Sequence, residues 1–141
     1  MISFVTESYE ETLQKAGEFA KTLPKGSVIG FVGGLGMGKT AFTTGFVKGL
    51  GIDADVSSPT FAICNDYIGN SNRVYHFDMY RVESWDDLYS TGFFDYIAEG
   101  GILACEWSEN IENALPDDTI YVEFTRIDDE KREITITKKG E

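Results

Sequence analysis

The sequence has few of the residues that build disulfides and metal clusters. It contains 2 cysteines and 1 histidine in 141 residues. Cys64 and Cys105 lie inside apolar runs without metal-type spacing, so we expect two reduced cysteines in the core of a cytoplasmic protein. His76 is the one histidine, which leaves no spare for a His-based catalytic triad. We interpret it as structural, with positioning of the nearby Asp78 as the alternative.

Long apolar runs and positive charge are also scarce. No run approaches the roughly 18 residues that span a bilayer, and the N-terminus lacks a signal-peptide pattern, so we expect no membrane partner. Asp and Glu number 24 against 12 Lys and Arg, which gives a net charge of -12. Such a surface repels a nucleic-acid backbone, so we do not expect extensive direct binding of RNA or DNA. We interpret the basic residues near the C-terminus as a solvated strand and tail: Lys131, Arg132, Lys138 and Lys139.

What is present describes one globular α/β domain over residues 1–141, with 42% hydrophobic residues. Ser8 with Glu11 fits the capping box of a first helix, which ends before Pro24. Two turns, at 69–72 and 128–131, predict antiparallel hairpins, so the sheet is expected to be mixed rather than purely parallel. The other predicted segments are strands at 27–32, 61–68, 73–77, 102–105, 120–127 and 133–137 and helices after 40, at 84–89 and at 93–98.

Residues 33–40 match the phosphate-binding pattern G-x-x-x-x-G-K-[ST] in full. An apolar strand precedes them and a helix follows, which is the context that this motif needs. Backbone N–H groups and the helix dipole favour an anion there, Lys39 reaches the outer phosphates and Thr40 can ligate Mg²⁺. The segment therefore predicts binding of a nucleoside triphosphate, with contacts from Gly33, Gly34, Leu35, Gly36, Met37, Gly38, Lys39, Thr40 and Ala41.

Two acidic residues follow strand-like runs, as Mg²⁺-dependent phosphate chemistry requires. Glu106 comes after the run 102–105 and resembles the acid of a Walker B motif, and Asp78 comes after the run 74–77. Trp107 adjoins Glu106 and is either a core residue or a wall of the nucleotide pocket. Arg81 is either a partner for a carboxylate or phosphate, or an exposed surface residue.

The segment Ser57-Ser58-Pro59-Thr60 lies between the phosphate-loop helix and the next strand. Related nucleotide-binding proteins place the loop that senses the γ-phosphate at this point, so Ser58, Pro59 and Thr60 are either a switch-like loop or an ordinary connection. The guanine-selecting string N-K-x-D does not occur in the sequence. ATP is therefore favoured over GTP.

Several motifs together resemble one family, TsaE (YjeE), the small ATPase of bacterial threonylcarbamoyladenosine tRNA modification. They are the phosphate loop, V-S-S-P-T-F at 56–61, Y-H-F-D-M-Y-R at 75–81 and Glu106-Trp107. The resemblance implies a three-layer P-loop NTPase-type fold and Mg²⁺-ATP hydrolysis. It also implies TsaD and TsaB as partners, so that tRNA is contacted only through their complex.

The resemblance also implies roles for single residues. Lys39, Asp78 and Glu106 would be catalytic, and Thr40, Glu106 and Asp78 would be placed at the metal. Trp107 would lie near the nucleotide and Arg132 would be a basic position near it.

The chain departs from the family at Gly34, where an acidic residue is usual, at Ala41, often threonine, and at Ser108, where proline is common. These departures leave the loop core intact. Two other functions stay open: a small-molecule P-loop kinase, although the chain has no arginine-rich lid segment, and a nucleotide-gated binding module that does not hydrolyse ATP.

Overall fold

The computed structural model describes residues 2–33, 38–57, 59 and 64–140. The strands are β1 (Ile2–Thr6), β2 (Val28–Val32), β3 (Cys64–Ile68), β4 (Arg73–Asp78), β5 (Ile102–Glu106), β6 (Ile120–Arg126) and β7 (Arg132–Lys138). The helices are α1 (Tyr9–Ala20), α2 (Lys39–Gly49), α3 (Trp85–Ser90) and α4 (Phe93–Ala98), and a 3-10 helix covers Ser108–Ala114.

The described strands form one mixed sheet with the order β1-β7-β6-β2-β5-β4-β3. Strands β6, β2, β5 and β4 pair in parallel and form its centre. The hairpins β3–β4 and β6–β7 are antiparallel, as their turns predicted, and β1 adds an antiparallel edge to β7. The mixed parallel and antiparallel sheet expected from the sequence is confirmed.

Helices cover both faces of the sheet, because side chains of the central strands alternate between two apolar clusters. Ile29 and Phe31 point to the cluster shared with α1 and α2, whereas Val28 points to the opposite one. Likewise Ala104 faces α1 and α2, and Cys105 faces α3 and α4. This alternation produces the three-layer α/β arrangement.

Helices α1 and α2 pack closely through glycines. A Cβ atom built on Gly45 would lie 2.2 Å from the Leu13 carbonyl oxygen, and one on Gly49 would lie 2.5 Å from the Gly17 Cα atom. No side chain fits at either contact. The close packing fixes the second half of α2 against α1.

The sequence missed two elements. Strand β1 has only five residues, and its partner β7 lies at the other end of the chain. Its local sequence pattern is therefore too short to predict a strand. The 3-10 helix Ser108–Ala114 is itself largely polar, and Ile111 interrupts its helical backbone, so it has no regular apolar pattern. Cys105 is buried and Cys64 is half-buried, and both are free thiols. None of the described helices is long and apolar enough to cross a membrane.

Candidate nucleotide site at the start of α2

The first turn of α2 differs from those of α1 and α3. Ser8 and Ser84 cap α1 and α3 by accepting hydrogen bonds from backbone N–H groups, and acidic residues follow in both first turns. Helix α2 instead begins after Gly38, which has φ 101°, with no side-chain cap and no acid in its first turn. Unsatisfied N–H groups and the positive end of the helix dipole are therefore available to an anion.

Lys39 is held at this helix start and is 6% exposed. Its ammonium group donates to the Gly33 carbonyl oxygen at 2.9 Å and lies 5.5 Å from the centroid of the Trp107 ring. Among the described residues no carboxylate forms an ion pair with it. Within the part of the chain that the structure describes, this buried cation contacts a carbonyl and an aromatic ring but no counter-charge, which burial normally requires.

Asp78 and Glu106 end adjacent parallel strands. They are register partners, the last residues of β4 and β5, and both strands run to the same edge of the sheet. The carboxyl edge of parallel strands is where open α/β sheets bind ligands. Asp78 accepts a hydrogen bond from the Tyr80 amide at 2.9 Å, and Glu106 is buried. Within the described parts of the chain no group of three or more His, Cys, Asp or Glu residues could enclose a metal.

Buried His76 bonds to Glu106, which the sequence analysis did not anticipate. The imidazole Nε2 atom lies 2.5 Å from the Glu106 Oε2 atom. On the other side of the ring, Nδ1 lies 3.3 Å from the Tyr67 hydroxyl. The suggested role of positioning Asp78 therefore gives way to a contact with Glu106. In the pairing of β4 with β5, His76 is the register partner of Ala104, so Glu106 is its diagonal neighbour on the same face of the sheet.

Trp107 stands beside the phosphate-loop lysine. It is the one non-glycine residue with positive φ in the described chain, at 59°, which is a strained conformation for a large side chain. Its ring packs against Tyr80, with centroids 4.9 Å apart, and against the Lys39 ammonium. The ring also packs against the apolar cluster that faces α3 and α4, so it borders both Lys39 and the core.

The two arginines singled out from the sequence lie in different surroundings. Side-chain atoms of Arg132 lie 3.7 and 3.8 Å from where a Cβ atom on Gly38 would stand, so this residue packs against the last loop glycine. The β6–β7 hairpin turn positions it, since its guanidinium donates to the Asp128 carbonyl oxygen at 2.7 Å. Arg81 is exposed near Trp107.

Some predicted site residues lie outside the described part of the chain: Gly34, Leu35, Gly36, Met37, Ser58 and Thr60. Of the remaining predicted residues, Pro59 is buried, Thr40 is exposed and Ala41 is half-buried. Tyr67 was not predicted as a site residue, but it meets His76 diagonally across the β3–β4 hairpin. Its signal was the hairpin itself, because diagonal neighbours across antiparallel strands lie within side-chain reach.

The fold and this site define a class, an α/β protein of the P-loop NTPase type. A sequence model described as "Threonylcarbamoyl adenosine biosynthesis protein TsaE" matches residues 6–134. The TsaE protein of Bacillus subtilis is 39% identical over 135 residues, covering 96% of this chain and 84% of that protein. The TsaE protein of Treponema pallidum is 33% identical over 94% of this chain and 97% of its own length.

A solved structure agrees with these sequence matches. The crystal structure of Bacillus subtilis YdiB superposes with a TM-score of 0.81 and 34% identity, over 99% of this chain and 86% of that one. The chain belongs to the TsaE family, whose curated relatives are named for tRNA threonylcarbamoyladenosine biosynthesis.

Proposed function

We propose that this chain is a cytoplasmic Mg²⁺-dependent ATPase that supports the TsaD–TsaB complex in threonylcarbamoyladenosine modification of tRNA. The observation that carries the proposal is Lys39, a buried ammonium without a carboxylate partner among the described residues, at the uncapped start of α2. A polyphosphate supplies the missing negative charge and accepts hydrogen bonds from the free N–H groups.

The residues present fit a magnesium ion. Mg²⁺ prefers hard oxygen ligands and is usually bound through one or two carboxylates together with substrate phosphates and water. Asp78 and Glu106 supply two carboxylates at one sheet edge, and the exposed Thr40 in the first turn of α2 adds a hydroxyl. When bound, the metal would neutralise charge on the outer phosphates.

The other side chains bind and orient the nucleotide. Lys39 contacts the outer phosphates, and Trp107 borders the pocket beside it. Arg132 adds positive charge next to Gly38 at the mouth of the loop. Glu106, held by His76, orients the attacking water or the metal, and Asp78 assists it from the neighbouring strand.

The charge of the chain supports an indirect role with tRNA. With a net charge of -12, the protein repels a phosphate backbone, so we propose that tRNA is bound by the partner complex. The curated relatives are named for the biosynthesis of the modified nucleoside. Proteins of TsaD and TsaB type are the proposed partners, and DNA is not a ligand.

The test is an assay of phosphate release from Mg²⁺-ATP, with and without a TsaD–TsaB complex. We expect slow hydrolysis by the isolated chain and clear stimulation by the complex. Loss of an outer-shell partner typically lowers activity about 10- to 100-fold. Because Glu106 is proposed to act on the metal or water directly, Glu106→Gln should reduce the stimulated rate by more than that. Nucleotide binding, measured by calorimetry, should survive in this variant.

A matched control is Glu123→Gln, which removes an exposed carboxylate from β6. We expect it to behave as the wild type. Binding of Mg²⁺-ATP without any phosphate release, even with the complex present, would replace the ATPase with a nucleotide-gated binding module. Equal activity of Glu106→Gln and the wild type would overturn the assignment of the acid.

A further inference from the structure

Glu106 is the last member of a chain of buried hydrogen bonds that leads away from the nucleotide site. The Glu106 carboxylate contacts His76 Nε2, and His76 Nδ1 contacts the Tyr67 hydroxyl. The same hydroxyl lies 3.2 Å from the Ser57 carbonyl oxygen. The chain therefore crosses from β5 through β4 and β3 to the backbone that precedes Ser58.

The side chains in this series of hydrogen bonds are buried or hydrogen-bonded by their neighbours. His76 is fully buried and Tyr67 is 5% exposed. Asn65 donates through its side-chain amide both to the Ser57 carbonyl oxygen, at 3.1 Å, and to the Tyr67 hydroxyl, at 3.4 Å. Because Asn65 and His76 are register partners on β3 and β4, the hairpin fixes the spacing between the contacts.

The hydrogen bonds of these side chains depend on one another. In the tautomer that donates from His76 Nε2 to the Glu106 carboxylate, Nδ1 is an acceptor. Tyr67 has one hydroxyl proton, which can go to His76 Nδ1 or to the Ser57 carbonyl oxygen, but not fully to both. When Asn65 satisfies the Ser57 carbonyl, the Tyr67 proton is available to His76.

We propose that Tyr67 and His76 are positioning residues that couple the orientation of Glu106 to the backbone at Ser57. The expected effect on the rate of ATP hydrolysis rests on the proposed ATPase function. The coupling between Glu106 and Ser57 does not, because it is a property of the ligand-free protein. Outer-shell partners of this kind orient the groups that act on a metal or water. Movement of the backbone at Ser57 changes the bonding of Tyr67, and through His76 the position of the Glu106 carboxylate.

The kinetic test compares Tyr67, whose hydroxyl contacts His76, with Tyr75 as a control, whose hydroxyl bonds elsewhere. Tyr67→Phe removes the hydroxyl from the chain, and Tyr75→Phe removes another buried hydroxyl, which donates to Glu99 at 2.5 Å on the other face of β4. We expect Tyr67→Phe to lower kcat for stimulated ATP hydrolysis about 10-fold with an unchanged Kd for ATP. Tyr75→Phe should leave both unchanged.

Two substitutions of the histidine separate its two contacts. His76→Gln keeps a donor near the Nε2 position, whereas His76→Asn keeps a polar group only near Nδ1. We expect His76→Gln to retain more activity than His76→Asn, because it preserves the bond to Glu106. Equal losses in the two variants, or equal kinetics of Tyr67→Phe and Tyr75→Phe, would overturn the proposal.

A second measurement does not depend on hydrolysis. In the ligand-free protein, Glu106→Gln should shift the NMR signals of the Asn65 side-chain amide, and this shift should disappear when Tyr67→Phe is added. A shift of the same size in both backgrounds would show that Tyr67 does not carry the coupling. If the wild type hydrolyses no ATP with its partners, the proposed function fails, and the NMR result alone decides on the coupling.

Discussion

Replacing Lys39 with methionine should leave the ligand-free fold intact. Toward the described residues, the ammonium makes one hydrogen bond, to Gly33, and one contact with the Trp107 ring. A hydrogen bond from a charged group contributes about 1.5–3 kcal/mol, and an ammonium over an aromatic ring about 0.5–2 kcal/mol. Burying the ammonium costs several kcal/mol in lost hydration. Since these contributions oppose each other, we expect the free energy of unfolding to change by less than about 2 kcal/mol.

The same substitution should weaken nucleotide binding. Unit charges 4 Å apart attract by about 4 kcal/mol at an effective dielectric constant of about 20. Turning the Lys39 ammonium toward a phosphate sacrifices part of its bond to the Gly33 carbonyl oxygen, which leaves about 1–3 kcal/mol of net attraction. Loss of that attraction corresponds to a Kd for ATP that is about 5- to 150-fold higher.

Titration with a fluorescent ATP analogue, together with urea unfolding of the ligand-free protein, measures both quantities. Lys48→Met, an exposed position in the last turn of the same helix, serves as the control and should change neither. An unchanged Kd in Lys39→Met would refute the argument. So would a loss of more than about 4 kcal/mol of stability, because the ammonium would then be mainly a structural group.

Three further predictions concern the packing of α1 against α2, the reactivity of Cys64 and the role of Arg132 in binding ATP. Gly45→Ala places a Cβ atom 2.2 Å from the Leu13 carbonyl oxygen, so it should destabilise the fold by about 3 kcal/mol in urea unfolding. Burial, and then Asp66, raise the pKa of Cys64 to about 11. About 1 in 1,000 of these thiols is ionised at pH 8, and alkylation measured by mass spectrometry should accelerate about tenfold per pH unit up to pH 10. Arg132→Met should raise the Kd for ATP about tenfold.

Each of these three predictions has a control within the same protein. Thr44→Ala, on the same helix as Gly45, should cost less than half as much stability. Burial also raises the pKa of Cys105, and this fully buried thiol should stay unmodified until the protein unfolds. Arg126→Met, which removes an exposed arginine paired with Asp129 in the same hairpin, should leave ATP affinity unchanged. A tight-binding Arg132→Met variant or rapid Cys64 labelling at pH 7 would contradict the respective argument.

The sequence predicted the parts of the fold that local signals specify. The two hairpin turns, the Ser8 cap and the strand before Gly33 are all short-range patterns, and the structure has each of them. Strand β1 was not predicted, because its pairing with β7 joins the two ends of the chain. A five-residue edge strand has too short a pattern to be recognised without its partner.

The candidate site was predictable to the same extent. The sequence predicted that Asp78 and Glu106 follow strands, because an acid at the end of a strand is a local pattern, and the parallel pairing of β4 with β5 places the two residues side by side. The contact between His76 and Glu106 was not found, because it depends on the register of β4 against β5. Register is set by long-range packing of the two sheet faces, which single residues do not reveal.

The first turn of α2 carries information that a motif match alone does not. Serine caps with acids in the following turn begin α1 and α3, so the positive ends of these helices are satisfied within the chain. Helix α2 begins with glycine and lysine, which satisfy nothing there and add positive charge. Helix α4 also begins after a glycine with positive φ and without a side-chain cap, but Asp95 lies in its first turn. Among the described α-helices, α2 alone lacks both a side-chain cap and an acid in its first turn, and this combination favours an anion at its start.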